Sequence, residues 1–526
     1  MSGLVNTLVA SSSAYIKSPL CVFAEKAATS LLQNISSGTL IIHTPNHTYC
    51  FGGEYAHHDH PLEAPKAELT VHNPTFWLRL CAMGDLGFAE AYMYGEVDCE
   101  DLAKVFLLFL ANRAQLSAID SSLFSRLMAR VPDIGLTARI VNTVANARKN
   151  ISAHYDISNN MFMGFLSKDM TYSCAIFPDL DGDLRPSSSS PATSSGLRTP
   201  SLTGASTPGS PAGSENAHKS IPLDALHLFP SSASEPGQPL SDLPASGTSD
   251  ALEAAQLRKL RHIIRKADIR PGHRVLEIGS GWGALAILVT STIPRTSVDT
   301  LTLSTQQAAL ARARAEASGV ADRVRVHLMD YRRMPQEWAG AFDRVVSVEM
   351  VEAVGQEYMQ TYWEKIDWAL NPETGAGVVQ GITIPEARFE QYMREVDFIR
   401  KWVLFPGGFL PTLTFLIETL TKGSRGRLVV DAVSNIGPHY ARTLREWRAR
   451  FEARFEDTIV PALKAEYPGV MGSDDAKARA EIEVFRRKWI YYYCYCEVGF
   501  TTRRLGDHII TFTREGNVEY GCQVYE

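Results

Sequence analysis

Between Arg274 and Leu288 the chain reads RVLEIGSGWGALAIL, a short apolar run, three glycines at alternate positions and a second apolar run. Val275 to Ile278 predicts a strand. Gly279, Gly281 and Gly283 predict a tight turn, because residues without Cβ tolerate left-handed backbone and let a ligand approach the main chain. Turns of this kind, at the carboxyl end of a first strand, are where open α/β sheets take nucleotide-like ligands. The G-x-G-x-G spacing departs from the dinucleotide G-x-G-x-x-G, and no Gly-Lys-Ser/Thr comes after it, which disfavours a phosphate cradle. Taken alone, the stretch leaves a plain strand-to-helix turn as the lesser alternative.

The downstream residues narrow the choice. Strand-like runs recur at Val298 to Leu303, Val324 to Met329, Arg344 to Val348 and Gly377 to Thr383, separated by helical stretches such as TQQAALARARAEASG. Strands alternating with helices predict βαβ units and a parallel, doubly wound sheet. Ahead of the glycines, Leu252, Leu260, Ile263, Ile264 and Ala267 share one helical face that ends at Pro271-Gly272. From about residue 384 the spacing turns mostly helical and aromatic-rich, and a closing run, HIITFTRE, is expected on the sheet edge.

The 526 residues leave room for more than one domain. Residues 1–145 read as a small α+β domain. GTLIIHTPNHTYCFGG predicts two strands around an Asn-His turn, and alternation at Phe76, Leu78 and Leu80 gives way to helical spacing at Leu102, Val105, Phe106 and Phe109. Residues 146–182 form a candidate segment over the ligand site. Residues 183–250 are dominated by Ser, Pro, Gly, Thr and Ala, cannot bury enough apolar surface to order themselves, and read as a disordered insertion. Residues 251–526 hold the doubly wound domain, with a helical cap from about 384.

A net charge of −6 carries no broad basic footprint and argues against nucleic acid as partner. Eight scattered cysteines do not form a secreted disulfide framework, which points to a reducing, cytoplasmic setting. No apolar run reaches the ~18 to 20 residues of a membrane span, and no charged n-region precedes the first apolar stretch. Contact with a membrane is therefore expected from its surface. A candidate docking helix is SPLCVFAEKAATSLLQNI, with Leu20, Val22, Phe23, Ala27, Leu31 and Leu32 along one side; packing onto its own domain is the alternative. The cluster His57, His58, Asp59, His60 reads as a solvated loop, because adjacent residues seldom converge on one ion, and no metal is expected.

Chemistry is expected where the strands end. After the second strand stand Thr302, Leu303 and Ser304, with Gln307 a turn later: polar, uncharged groups able to meet hydroxyls. After the third come Asp330 and Tyr331, suited to an amine and to an aromatic ring. Upstream, YDISNNMF and TYSCAIF bring Tyr155, Tyr172, Ser173 and Cys174.

In this order, HYDISNNMF, TYSCAIF, VLEIGSGWG, LTLSTQQ, MDYR, VSVEMVEAVG, FPGGFLP and CYCEVGF resemble the cyclopropane-fatty-acyl-phospholipid synthases and mycolic acid methyltransferases. The likeness runs from Tyr155 to the end apart from the insertion, and EMVEAVG with VVQGITIP and DFIRKWVLFPGGFLP looks closer to plant and fungal members than to bacterial ones. It implies a Rossmann-like class I methyltransferase sheet with a helical acyl-binding cap, behind an N-terminal lipid-associated domain. It also implies S-adenosylmethionine held by Tyr155, Tyr172, Ser173, Glu277, Gly279, Ser280, Gly281, Trp282, Gly283, Thr302, Leu303, Ser304, Gln307, Asp330, Tyr331 and Ser347.

The reaction implied is transfer of a one-carbon unit to the cis double bond of an unsaturated phospholipid acyl chain at the membrane surface, giving a cyclopropane. A methyl branch, sphingolipid methylation and a non-catalytic lipid-binding relative are the alternatives. In bacterial members a bound bicarbonate takes the proton. Position by position its ligands fall on Cys174, Glu352, Ile382 through its backbone, Tyr440 and, in place of a histidine, Gln380, which donates a hydrogen bond but carries no charge. Ala353 also stands where bacterial members have His. Cys496 falls on a cysteine assigned as catalytic in this family, with packing along the acyl tunnel as the alternative. Tyr491, Tyr492, Tyr493 and Tyr495 offer aromatic faces to a cation or to the helix core. The resemblance also implies a homodimer.

Overall fold

The computed structural model describes residues 19–53, 65–116, 158–185, 249–403 and 408–521. Tyr155, the His57–His60 cluster and the bulk of the predicted insertion, residues 186–248, lie outside the described residues.

The glycine stretch sits at the centre of a seven-stranded sheet, order β10-β11-β9-β8-β5-β6-β7. Strands β5 (Arg274–Ile278), β6 (Ser297–Thr302), β7 (Val324–Leu328), β8 (Arg344–Val348) and β9 (Ala376–Thr383) are the five predicted runs, all parallel. Chain order reverses between β5 and β8. That reversal opens a crevice at the carboxyl ends of these two strands, the usual ligand position in a doubly wound sheet. The helix before β5, Ala251–Lys266, is capped by Asp250, whose carboxylate accepts from the backbone of Leu252 and Glu253.

The closing run forms β11 (Gly506–Arg514), antiparallel to β9, but it is not the edge. An unexpected strand, β10 (Leu428–Asn435), covers it with a bulge between Val430 and Ala432. Asp431 interrupts the apolar pattern of β10, whose outer residues are exposed; half-wet edge strands lack the strong alternation that would have flagged it.

In the N-terminal domain β1 (Thr39–His43) and β2 (Thr48–Gly52) form the predicted hairpin. With β3 (Lys66–Val71) and β4 (Val97–Cys99) they make a sheet of order β2-β1-β3-β4. The expected strand pattern at Phe76, Leu78 and Leu80 is instead the start of a helix, Thr75–Met93. Adjacent Phe76 and Trp77 are both buried, which a two-faced strand on one core does not allow. On the helix Pro19–Leu32, Leu32 is buried while Leu20 and Phe23 project outward, so the apolar side foreseen from the sequence is split between core and surface.

The helix Ala476–Thr501 joins the two domains. Tyr491 packs among Phe88, Phe106 and Phe398 on the N-terminal side. Trp489 and Tyr493 pack against Phe451, on the helix Gly437–Ala453 of the other domain. Between these flanks Val484, Lys488, Tyr492, Tyr495 and Gly499 lie along one helical stripe, each only partly buried.

Candidate active site

Two strand ends build the crevice. At the first, Gly279, Gly281 and Gly283 all have positive φ (102°, 48° and 87°), a region that L side chains avoid. A Cβ on Gly279 would stand 3.1 Å from Met350 Cβ, and one on Gly283 3.2 Å from Ala311 Cβ, whereas one on Gly281 would meet nothing within 4 Å. The turn is thus packed on two sides and open toward the crevice. Such open main chain suits a ligand that binds through backbone.

The polar groups beside it hold shape. Thr300 donates to Glu277 Oε2 (2.5 Å) and lies 2.8 Å from Ser280 Oγ; burial, first of all, pushes the Glu277 carboxyl up to about 8. Ser347 is fully buried and donates to the carbonyl of Ile278, so its hydroxyl ties β8 to β5. Trp282 Nε1 donates to Asn159 Oδ1 (2.7 Å). Thr302 donates to Gln307 Oε1 (2.8 Å), and Ser304 caps the next helix at the Gln307 N–H. Leu303 is 73% exposed, so its side chain is not packed against the fold. Asp330 pairs with Arg332 (2.5 Å), and Tyr331 meets the edge of Tyr362. These positions leave an uncharged floor with one acid and one ring at its far end, which fits an adenosyl group with no phosphate.

The second strand end is acidic. Glu349, directly after β8, adopts φ 46°, a left-handed conformation costly for a residue with a Cβ. It turns the side chain back among buried donors. The Cys174 N–H donates to Glu349 Oε1 (2.7 Å), Gln380 Nε2 to the same oxygen (2.9 Å), and the Tyr440 hydroxyl to Oε2 (2.6 Å). Gln380 Nε2 also reaches Asp507 Oδ2 (2.9 Å) on β11. Glu352 Oε1 accepts from the Ile382 N–H (2.5 Å), while its Oε2 is buried with no partner among the described residues.

The sequence-predicted Cys174, Glu352, Gln380, Ile382 and Tyr440 therefore converge, with Cys174 and Ile382 entering through backbone N–H groups. Glu349, Asp507 and Lys259 were missed. The only sequence signal for Glu349 was the pair of acids three apart in EMVEAVG; nothing local marks Asp507, 127 residues beyond Gln380, or Lys259 on its helix face. Lys259 is fully buried and donates to Ser173 Oγ (2.6 Å), the one buried cation facing Glu349, Cys174 and Asp507 among the described residues.

Burial raises every acid here. Glu352 is pushed up to about 8 by burial and by the charge of Glu349, and Asp507 is raised well above the carboxylate range by burial and then by both glutamates. Glu349 is raised by burial too, but three donors and the Lys259 charge work against that. One negative charge opposite one lysine is what so dry a site supports, and Glu349, with the most donors, carries it. Glu349 nonetheless keeps accessible surface, and so do Val348, Met350, Ile382, Tyr172, Gly279 and Gly281, so the charge faces the crevice.

Of the donors that the resemblance assigns to bicarbonate, Cys174, Gln380 and Tyr440 are engaged by the Glu349 carboxylate, and the Ile382 N–H by Glu352. A separate anion would need those N–H and O–H groups and would meet a fixed negative charge, so bicarbonate does not fit this site. Cys496 is buried, and burial pushes its thiol above its ordinary value, which keeps it protonated. Tyr491 and Tyr493 are core; Tyr492 and Tyr495 keep some surface, and the Tyr492 hydroxyl lies 3.2 Å from that of Tyr172, which stacks on Trp447.

A family model of mycolic acid cyclopropane synthetase matches residues 142–190 and 246–468, breaking across the Ser/Pro-rich stretch. The chain is 32% identical to tuberculostearic acid methyltransferase UfaA1 of Mycobacterium tuberculosis, over 86% of its own length and 84% of that protein's. It is 27% identical to the cyclopropane-fatty-acyl-phospholipid synthase of Escherichia coli K12, over 87% and 90% of the two chains. Among solved structures, a coclaurine N-methyltransferase bound to N-methylheliamine and SAH superposes with TM-score 0.51 at 16% identity, covering 81% of this chain and 98% of that one. The fold is that of a class I methyltransferase.

Proposed function

Because the chain belongs to the mycolic acid cyclopropane synthetase family, whose members act on lipid acyl chains, we propose that it converts the cis double bond of an unsaturated phospholipid acyl chain into a cyclopropane, with Glu349 as its built-in base. The observation that carries this reading is the contact between the two strand ends: Gly279 lies against Met350, the residue next to Glu349. A methyl donor on the glycine turn is thereby one residue from a carboxylate.

S-adenosylmethionine, when bound, supplies an electrophilic methyl group. The glycine turn holds the donor through its backbone, and the Thr302–Gln307 and Asp330–Tyr331 ends fix its uncharged polar groups. Tyr172 and Tyr492, whose hydroxyls lie 3.2 Å apart, narrow the access of water beside Tyr440, which matters because attack by an alkene leaves a carbocation in the acyl chain. Their ring faces also favour a nearby positive charge.

Glu349 then takes a proton. A hydrogen beside a carbocation is strongly acidic, so position matters more than basicity. Donors on both carboxylate oxygens also blunt Glu349 as a nucleophile, which favours proton removal over ester formation. Loss of the proton from the new methyl group closes the ring.

A second reading has its own support: UfaA1 is named a methyltransferase, and a hydride shift from the methyl-bearing carbon to the cationic carbon, followed by loss of a proton from the methyl group, would leave a methylene branch. Incubation of the protein with S-adenosylmethionine and vesicles of cis-monounsaturated phosphatidylethanolamine tests both. Mass spectrometry should show acyl chains heavier by one CH2, and proton NMR should show ring rather than vinyl hydrogens. Vinyl hydrogens would replace the first reading by the second; no mass gain would overturn both. Among the described residues no helix is long and apolar enough to cross a membrane. The outward Leu20 and Phe23 support substrate access from the bilayer surface.

A further inference from the structure

Asp507 belongs to no assigned set, yet its side chain is completely enclosed. It is fully buried at the start of β11, where Gln380 Nε2 bridges it to Glu349 with two contacts of 2.9 Å. That amide donates to both carboxyl groups, and the two carboxyls also lie within hydrogen-bond reach of each other. Two ionised carboxylates at such a distance in a dry site repel strongly. Asp507 Oδ1 has no partner among the described residues, and a buried oxygen without one is costly unless it carries a proton to donate.

We propose that Asp507 remains a neutral acid throughout turnover and shares its proton with Glu349, so that it is the positioning residue that keeps the base ionised, oriented and poorly nucleophilic. The inference rests on the reading of Glu349 as the base. The groups around the pair agree with a single charge. Glu352 comes from the turn after β8, Lys259 from the helix before β5, Cys174 from the upstream segment, and Tyr440 from the helix Gly437–Ala453. Of these only Lys259 is a cation, and it offsets one carboxylate, not two. Were Asp507 to ionise, Glu349 would lose a donor and gain a like charge beside it. Its carboxylate would then be driven off the Cys174 and Tyr440 donors.

The test compares Asp507→Asn with Asp507→Leu in the full chain. Asn keeps the shape and a donor, and should retain turnover within about threefold. Leu keeps the volume but donates nothing, and should lower kcat by about 30-fold or more with KM for S-adenosylmethionine unchanged. Infrared difference spectra against the wild type give the direct readout: one protonated-carboxyl band, beside those of the buried Glu277 and Glu352, should be lost in Asp507→Asn and kept in Glu349→Gln. A band unchanged by Asp507→Asn, or full activity in Asp507→Leu, would overturn the proposal. The infrared result holds whether or not Glu349 proves to be the base, so the two failures are distinguishable.

Discussion

The two strand ends that meet in the crevice bind by opposite means. Around the glycine turn, polar side chains are largely spent on one another, as in Thr300 with Glu277, Thr302 with Gln307 and Ser347 with β5, and what remains for a ligand is exposed backbone. At the end of β8 the backbone of Glu349 is strained and the side chains are the working parts. The first arrangement suits a fixed ligand held by shape, the second a charge held ready in a dry place. Substitutions should separate the two.

The largest effect on the binding side is expected from Gly279→Ala. At φ 102° a Cβ is strained and would crowd Met350 at 3.1 Å. A cost of roughly 1–3 kcal/mol corresponds to about fivefold to 150-fold weaker S-adenosylmethionine binding by calorimetry. The acid cluster should be untouched, so the infrared band of Asp507 should survive. If binding is unchanged, the turn is not the donor site.

A smaller effect, confined to the acid side, concerns stability. Glu352 is raised from 4.5 to about 8 in the folded state, so over that window the native protein holds a proton the unfolded chain has released. Stability therefore falls as pH rises through that window, by up to about 1.4 kcal/mol per pH unit for one such group. Melting temperature should drop between mildly acidic and mildly alkaline pH, and Glu352→Gln should flatten the slope without altering S-adenosylmethionine affinity. A slope that is the same in both proteins would show that Glu352 is not buried as an acid.

The smallest effect is expected at Cys496. A buried, protonated thiol that serves as packing should tolerate Cys496→Ser with turnover kept within about threefold. A loss of a hundredfold or more at unchanged melting temperature would place it in the chemistry instead.

The binding end was far more legible in the sequence than the acid end. Glycine spacing and strand periodicity are local signals, and they located β5 to β9 to within a residue or two together with the turn. The acid end depends on β11 lying beside β9, which brings Asp507 to Gln380, and on the helix Ala251–Lys266 delivering Lys259. No local pattern encodes such long-range pairing. Resemblance supplied Cys174, Glu352, Gln380, Ile382 and Tyr440 but pointed to an external anion. The carboxylate among their donors is Glu349, whose left-handed backbone lets it fold back into the pocket, a conformation invisible to periodicity. The same limit hid β10 and turned Phe76–Leu80 from strand into helix.

The central claim is that Glu349 itself takes the proton that completes the reaction. Its direct test is Glu349→Gln assayed with cis-monounsaturated vesicles, with and without added bicarbonate, alongside S-adenosylmethionine binding by calorimetry. Binding should be retained and product formation should fall by about 10²- to 10⁴-fold, the usual worth of a positioned base, with no dependence of the wild-type protein on bicarbonate. Full activity in Glu349→Gln, or wild-type activity that requires bicarbonate, would contradict it.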